Sequence, residues 1–442
     1  MARRTISPQH FYQNRILDQY AYQSAKTITL RQLVFFGRNL NEDKLIQSGN
    51  YVRKELPVRL AHRIRDFQNL PFIVGTNSFI STVYELYWSA FDRLRSFPEI
   101  KTIEDNHMFC ETLKGLLREH LVVLPQLARG MMECSNHISQ ALIDRFMYTM
   151  LRSRISRRVL AEQQIALTTN WNKYGHSGFY SDGCIGVVNT KCNARDTVER
   201  CATVTRDAYR TYYGVEPPEV VFDGRENVVF TYIPDHIEYV LYELLKNSIR
   251  ATIETYSPEV VNGVMEDMGS DTKAPEATQD TNETKEVQAT SSFAQPSSRP
   301  HFAHETTPRS RPLAPSATLA SKTPSYPPIR VTVSSSSTDV HFRISDQGGG
   351  IPESIYPHIW SFPSLKFKKF TNLDKVSQMA ATLRERQEKI IHPMLKLGIG
   401  LRMSKVYCEY WGGGLTVFSM DGYGTDAYIK ITRLGNKEEN IV

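Results

Sequence analysis

Between about residues 27 and 170 the apolar positions recur with a helical period. Ile80, Val83, Tyr84, Tyr87, Trp88 and Phe91 fall at steps of one, three and four, which makes one wide apolar stripe. Leu113, Leu116, Leu117, Leu121 and Leu124 predict a second stripe, and Ile138, Leu142, Phe146, Met150 and Leu151 a third. Pro71, Pro98 and Pro125 punctuate the region. Several long amphipathic helices with short connections predict a four-helix bundle.

The pattern changes near Gly175. Gly178, Gly183 and Gly186 bracket short β-branched runs such as 185–188, and 228–232 is a second strand candidate. A helix is predicted over 234–255, carrying Ile237, Val240, Leu241, Leu244 and Leu245. Residues 257–327 are rich in Ser, Thr, Pro, Ala, Glu and Lys and poor in aromatics. Such a segment buries too little apolar surface to offset its ordering entropy, so a disordered insertion is expected there. The strand 329–333 should pair with 340–344 in the sheet begun earlier, and 415–418 and 427–431 should complete it. The expectation is a multidomain α and α/β chain with a mixed sheet. Its parts are an N-terminal segment (1–26), a helical domain (27–174), an α/β domain (175–434) interrupted by the insertion, and a tail (435–442).

Composition alters this picture little. The 442 residues have room for two or three domains, and 53 basic side chains against 47 acidic give a net charge of +6. That mild excess permits docking to an acidic protein surface but leaves no dense basic footprint for nucleic acid. The six cysteines form no CxxC pair and no zinc spacing, which reads as free thiols in a reducing compartment. No apolar run of about 18 residues predicts a membrane span. The start is basic and has no acid before Asp18, a weak match to an organelle-targeting segment.

Three short elements carry candidate chemistry. On the predicted helix, Glu243 and Asn247 stand at i and i+4 and point to one side. An amide oxygen suits Mg²⁺, which brings phosphates with it, and the carboxylate can orient or deprotonate a hydroxyl. A solvated helix face is the plain alternative. Asp346, at a strand end, precedes Gly348, Gly349 and Gly350, where a ligand can lie against bare backbone and the carboxylate can accept the exocyclic amine of adenine. A simple glycine-rich turn is the alternative there. Leu397, Gly398, Ile399, Gly400 and Leu401 open a predicted helix over 402–410, and amides at a helix start make a phosphate cradle. Farther on, Gly422, Gly424 and Thr425 close a hairpin.

Together and in this order the elements resemble the N, G1, G2 and G3 boxes of the GHKL ATPases. The first half narrows the likeness. The run Val52 to Arg65 with Asn69-Leu-Pro71, the run Ser153-Arg-Ile-Ser-Arg-Arg158 and the run Leu160-Ala-Glu-Gln163 look like the mitochondrial 2-oxo acid dehydrogenase kinases. The resemblance covers nearly the whole chain outside 257–327. It implies a helical regulatory domain followed by a GHKL-type α/β sandwich, a homodimer, and a place in the mitochondrial matrix. It implies transfer of the ATP γ-phosphate to serines of an E1α subunit, that of pyruvate dehydrogenase ahead of its branched-chain relative, and docking on an E2 lipoyl domain. Residue by residue, Glu243 would be the base or polarising group and Asn247 the Mg²⁺ ligand. Lys246 and Arg250 would lie near phosphates. Asp346, Gly348, Gly350 and Thr425 would hold adenine, Ser364 would stand in the lid, and 397–401 would face the phosphates. Four positions depart from the family pattern: Lys396 replaces a glycine, Pro363-Ser364 a paired Ser/Thr, Gln164 a histidine, and Tyr239 the histidine common in pyruvate dehydrogenase kinases. A non-catalytic nucleotide-binding scaffold is the competing reading. A two-component histidine kinase is disfavoured, since no phosphoacceptor helix pair or receiver segment adjoins the site; His62 reads as a structural or surface histidine. Arg152, Arg154, Arg157 and Arg158 could bind an acidic partner or form a solvated basic face.

Overall fold

A computed structural model of the chain describes residues 15–38, 40–174, 183–260, 325–362, 398–434 and 437–441. Its first half is helical: α1 (Arg15–Ala21), α2 (Leu30–Arg38), α3 (Glu42–Gln68), α4 (Ser78–Arg95), α5 (Ile103–Glu119), α6 (Val123–Glu133) and α7 (Gln140–Tyr174). Local chemistry sets the starts. The Asn41 side chain accepts from the Lys44 amide, Asn77 from those of Phe79 and Ile80, and Thr102 with Asp105 forms a reciprocal capping box. The long helix α3 packs along α4, α5 and α7, and α5 also packs on α7.

The first stripe faces this core as expected: Ile80, Val83, Tyr84, Tyr87 and Phe91 are buried. Each such side chain contributes about 1.5–3 kcal/mol when fully removed from water. The second stripe is not one helix. Helix α5 ends at Glu119, a 3₁₀ turn spans His120–Val122, and α6 starts at Val123 with Pro125 in its first turn, where no amide is needed. The third stripe is rotated: Ile143, Phe146, Met147, Met150 and Leu151 are buried, while Leu142 is half-buried and Ile138 precedes the helix. Leu17 of α1 is also buried, and α1 packs on α3, so this part of the segment set apart at 1–26 joins the helical core.

Among the described residues the second half holds two sheets, not the single one expected. Strands β1 (Cys184–Ile185), β2 (Val188–Asn193) and β4 (Val229–Tyr232) form an antiparallel sheet in the order β1-β2-β4. The run 185–188 is therefore not one continuous strand: Ile185 ends β1, Val188 opens β2, and the two pair across the turn at Gly186. The five-stranded sheet runs β3-β5-β6-β8-β7, from β3 (Val220–Gly224), β5 (Ile329–Ser335), β6 (Asp339–Asp346), β7 (Gly414–Met420) and β8 (Gly424–Thr432). Its β3–β5 pair is parallel and the others antiparallel, which makes it mixed. Strand β3 and helix α8 (Ala194–Tyr213) were not anticipated, although Asn193 caps that helix and Gly214 ends it in a left-handed conformation. Helix α9 (Pro234–Tyr256) packs on α8, on β6 and on α10 (Gly400–Tyr410).

Of the insertion expected at 257–327, residues 261–324 lie outside the described residues. Its edges are packed: Ser257 is buried, and the Tyr326 hydroxyl donates to the Ser257 hydroxyl at 3.1 Å. The two halves of the chain meet where α7 packs on α10 and where the tail returns. There the Glu439 amide donates to the Ile28 carbonyl, and the Asn440 amide to the Tyr410 carbonyl. All six cysteines are free. No described helix is long and apolar enough to cross a membrane.

Candidate active site

Helix α9 starts with Pro234 in its first turn, where the fixed φ favours helix and no amide is missed. One side of it carries Glu243, Lys246, Asn247 and Arg250. Glu243 is buried, and its Oε2 accepts from Lys246 Nζ at 2.7 Å. Asn247, one turn on, is exposed. Arg250 pairs with Glu254.

The start of α10 lies directly on Glu243. A methyl group built on Gly400 would stand 2.3 Å from Glu243 Oε2. A Cβ there would force the Glu243 carboxylate to shift, so the first and third motifs meet at these two residues. Gly398 precedes the helix in a left-handed conformation. The Ile399 side chain is buried, so only its backbone can face a ligand, and Leu401 packs on the core. Arg402 donates to the Gly398 and His358 carbonyls, which pins the approach to α10. Burial pulls the Arg402 guanidinium down to about 10, with Asp144 opposing the shift. Ser364, Leu397 and Lys396 lie outside the described residues.

The second motif meets the same helix. Asp346 Oδ2 accepts from the Ser248 hydroxyl at 2.6 Å, and Oδ1 from the Gly348 amide at 3.0 Å. Burial raises the Asp346 carboxyl above the usual range, while Ser248, Gly348 and the Thr425 amide favour the ionised form. Gly348 sits against Ala251 and Thr252, and its carbonyl accepts from the Thr255 hydroxyl at 2.9 Å. The loop is also stitched to the last hairpin. The Gly349 amide donates to Tyr423, the Gly422 amide to Gly349, and the Ile351 amide to the Ser419 hydroxyl. Gly350 has φ +75° with Met420 against it. Thr425 stands opposite Asp346 in the ladder, half-buried.

Helix α9 thus touches both remaining motifs, Glu243 meeting Gly400 and Ser248 meeting Asp346, while Asp346 also stands against Gly348 and Thr425. Sequence reasoning missed Ser248 and Arg402. Ser248 follows Asn247 directly, and only the packing of α9 on β6 reveals that it turns inward; for Arg402, its place in the first turn after Gly400 was the available signal. Of the four arginines on α7, Arg154 and Arg157 are buried, Arg157 donating to the Tyr87 hydroxyl at 2.7 Å, and Arg158 pairs with Glu162. They form no solvated basic face. His62 lies 2.8 Å from the Gln23 carbonyl.

The donor set suits a cation that arrives with its own ligands. Among the described residues no group of three or more His, Cys, Asp or Glu could hold a metal. One exposed amide oxygen beside a cation-paired carboxylate fits Mg²⁺, which keeps several waters and takes phosphate oxygens.

A family model described as mitochondrial branched-chain alpha-ketoacid dehydrogenase kinase matches residues 27–189. The mitochondrial pyruvate dehydrogenase (acetyl-transferring) kinase 2 of Saccharomyces cerevisiae is 27% identical over 97% of the chain and 86% of the relative. The corresponding mitochondrial kinase of Arabidopsis thaliana is 27% identical over 93% of the chain and 92% of its own length. Isozyme 3 of Homo sapiens is 25% identical over 95% and 86%.

Proposed function

We propose that the chain belongs to the family of mitochondrial pyruvate dehydrogenase and branched-chain 2-oxo acid dehydrogenase kinases, and that it phosphorylates serine on the E1α subunit of pyruvate dehydrogenase, thereby inactivating it. It is an ATP-dependent protein kinase. The observation that carries the mechanism is the contact of Glu243 with Gly400, which puts a carboxylate at the start of the helix proposed to hold the phosphates. Glu243, paired with Lys246 at 2.7 Å, accepts the proton of the serine hydroxyl. The serine oxygen attacks the γ-phosphorus as the bond to the β-phosphate oxygen breaks, leaving ADP. Amides of 398–401 orient the phosphates, Lys246 and Arg250 stand nearby, and Asp346 with Gly348, Gly350 and Thr425 holds adenine. Asn247 would hold Mg²⁺, which would supply charge neutralisation. Positioning and neutralised charge do most of the work in phosphoryl transfer.

The remaining assignments follow the same reading. The four long helices α3, α4, α5 and α7 support a bundle over 27–174, and the five-stranded mixed sheet with α8, α9 and α10 supports a GHKL-type sandwich over 175–434. We assign the protein to the mitochondrial matrix as a homodimer. For docking on an E2 lipoyl domain, an apolar cavity of about 330 Å³ lined by Ile28, Leu33, Phe36, Tyr51, Leu160 and Leu167 suits a flexible acyl arm.

The test is incubation with each purified E1 and labelled ATP. Pyruvate dehydrogenase E1α should be labelled by the wild type. Glu243→Gln should bind ATP but not transfer. Labelling of the branched-chain E1 alone would move the target to that complex, a reading favoured by the description of the family model over 27–189. ATP binding with neither E1 labelled would favour the scaffold.

A further inference from the structure

Asn247 and Ser248 are neighbours on α9 yet point apart. Asn247 is exposed, while Ser248 is buried against β6. The Ser248 hydroxyl donates to Asp346 Oδ2 at 2.6 Å, the Gly348 amide to Oδ1 at 3.0 Å, and the Thr425 amide also faces the carboxylate. Every one of these partners is a donor to Asp346. An ionised carboxylate offers about four lone-pair sites and can only accept, whereas its protonated form donates once. Donors on both oxygens therefore favour the accepting form, against the burial that raises this carboxyl, and leave lone pairs for one more donor. The 6-amino group of adenine is such a donor. The 6-oxo group of hypoxanthine is not.

We propose that Ser248 is a specificity-determining positioning residue: by donating to Oδ2 it fixes Asp346 as an acceptor that takes 6-aminopurine nucleotides and rejects 6-oxopurine ones. This rests on the reading of Asp346 as the adenine contact. Ser248 does not touch the reacting atoms; it acts through the carboxylate. A site built to pair a polar group discriminates strongly against an analogue that leaves that group unpaired.

The experiment measures dissociation constants for ATP and inosine triphosphate, with KM and kcat, for the wild type, Ser248→Ala, Ser248→Cys and Asp346→Asn. Removing a hydrogen bond to a charged group should weaken ATP binding roughly tenfold or more. Ser248→Ala should do so with little change for inosine triphosphate, so the ratio between the two falls by about the same factor; the loss should appear in KM more than in kcat. Ser248→Cys keeps the shape with a weaker donor and should fall between. If Asp346→Asn collapses the ratio while Ser248→Ala leaves it intact, the role of Ser248 is refuted and the adenine reading stands. If neither variant changes it, the adenine reading fails and this inference with it. Equal weakening of both nucleotides by Ser248→Ala, with a lowered melting midpoint, would make Ser248 merely structural and overturn the proposal.

Discussion

Arg59 and Glu439, 380 residues apart, share a buried ion pair at 2.6 Å. Arg59 also donates to Glu55 at 3.1 Å and to the Lys26 carbonyl at 2.7 Å, and the Tyr410 hydroxyl donates to Glu439. The tail is thereby joined to α3, to the segment before α2 and to the end of α10. Breaking a buried pair from one side leaves an uncompensated charge, at a cost of about 3–5 kcal/mol. Glu439→Ala and Arg59→Met should each destabilise the fold by that amount in urea unfolding, and the double variant by much less than their sum. Simple additivity would show that the two do not interact.

Gly400→Ala should separate catalysis from stability. The new methyl would lie 2.3 Å from Glu243 Oε2 and 3.0 Å from its Cδ, so the carboxylate must move. A displacement of about 1 Å at a reacting group costs on the order of 100-fold in rate. We expect kcat on E1 to fall by that factor with the melting midpoint little changed. Wild-type turnover in this variant would mean that the carboxylate does not need its present position.

Gly350 and Gly422 have nearly the same backbone angle, φ +75° and +77°, but different surroundings. A Cβ on Gly350 would meet the Met420 carbonyl oxygen at 2.2 Å, while one on Gly422 would meet nothing within 4 Å. Gly422→Ala should cost only the strain of a left-handed alanine, on the order of 1–3 kcal/mol. Gly350→Ala should cost clearly more and should also reduce ATP affinity. Equal unfolding midpoints for the two variants would contradict this.

His236 is buried between Tyr232, Tyr407 and Tyr410, and burial, with Arg158 adding to it, pushes its imidazole down to about 3. The folded state holds the ring neutral, whereas the unfolded chain protonates near 6.5. Its contribution to stability is therefore complete above pH 6.5 and is lost as pH falls towards 3, by up to about 1.4 kcal/mol per pH unit. His236→Phe keeps an aromatic ring against Tyr407 and removes this dependence. The stability difference between wild type and variant should be flat above pH 6.5 and change in the variant's favour below it. Parallel curves at all pH values would show that His236 contributes no such titration.

Periodicity alone marked the helical first half, the helix bearing Glu243 and Asn247, and the strands that flank Asp346, because burial of one face leaves a repeat in the chain itself. The glycine-bearing motifs were legible for a similar reason: positions that need bare backbone restrict residue type locally. What sequence could not decide was partnership. The split of the strands into two sheets, the turn at Gly186, the inward rotation of Ser248, the seat of Gly400 on Glu243 and the closure of Glu439 on Arg59 all depend on contacts between distant segments. Such contacts arise when packed elements choose one register and one facing, and a hydrogen bond or ion pair formed across them imposes no repeat on either strand or helix by which it could be recognised beforehand.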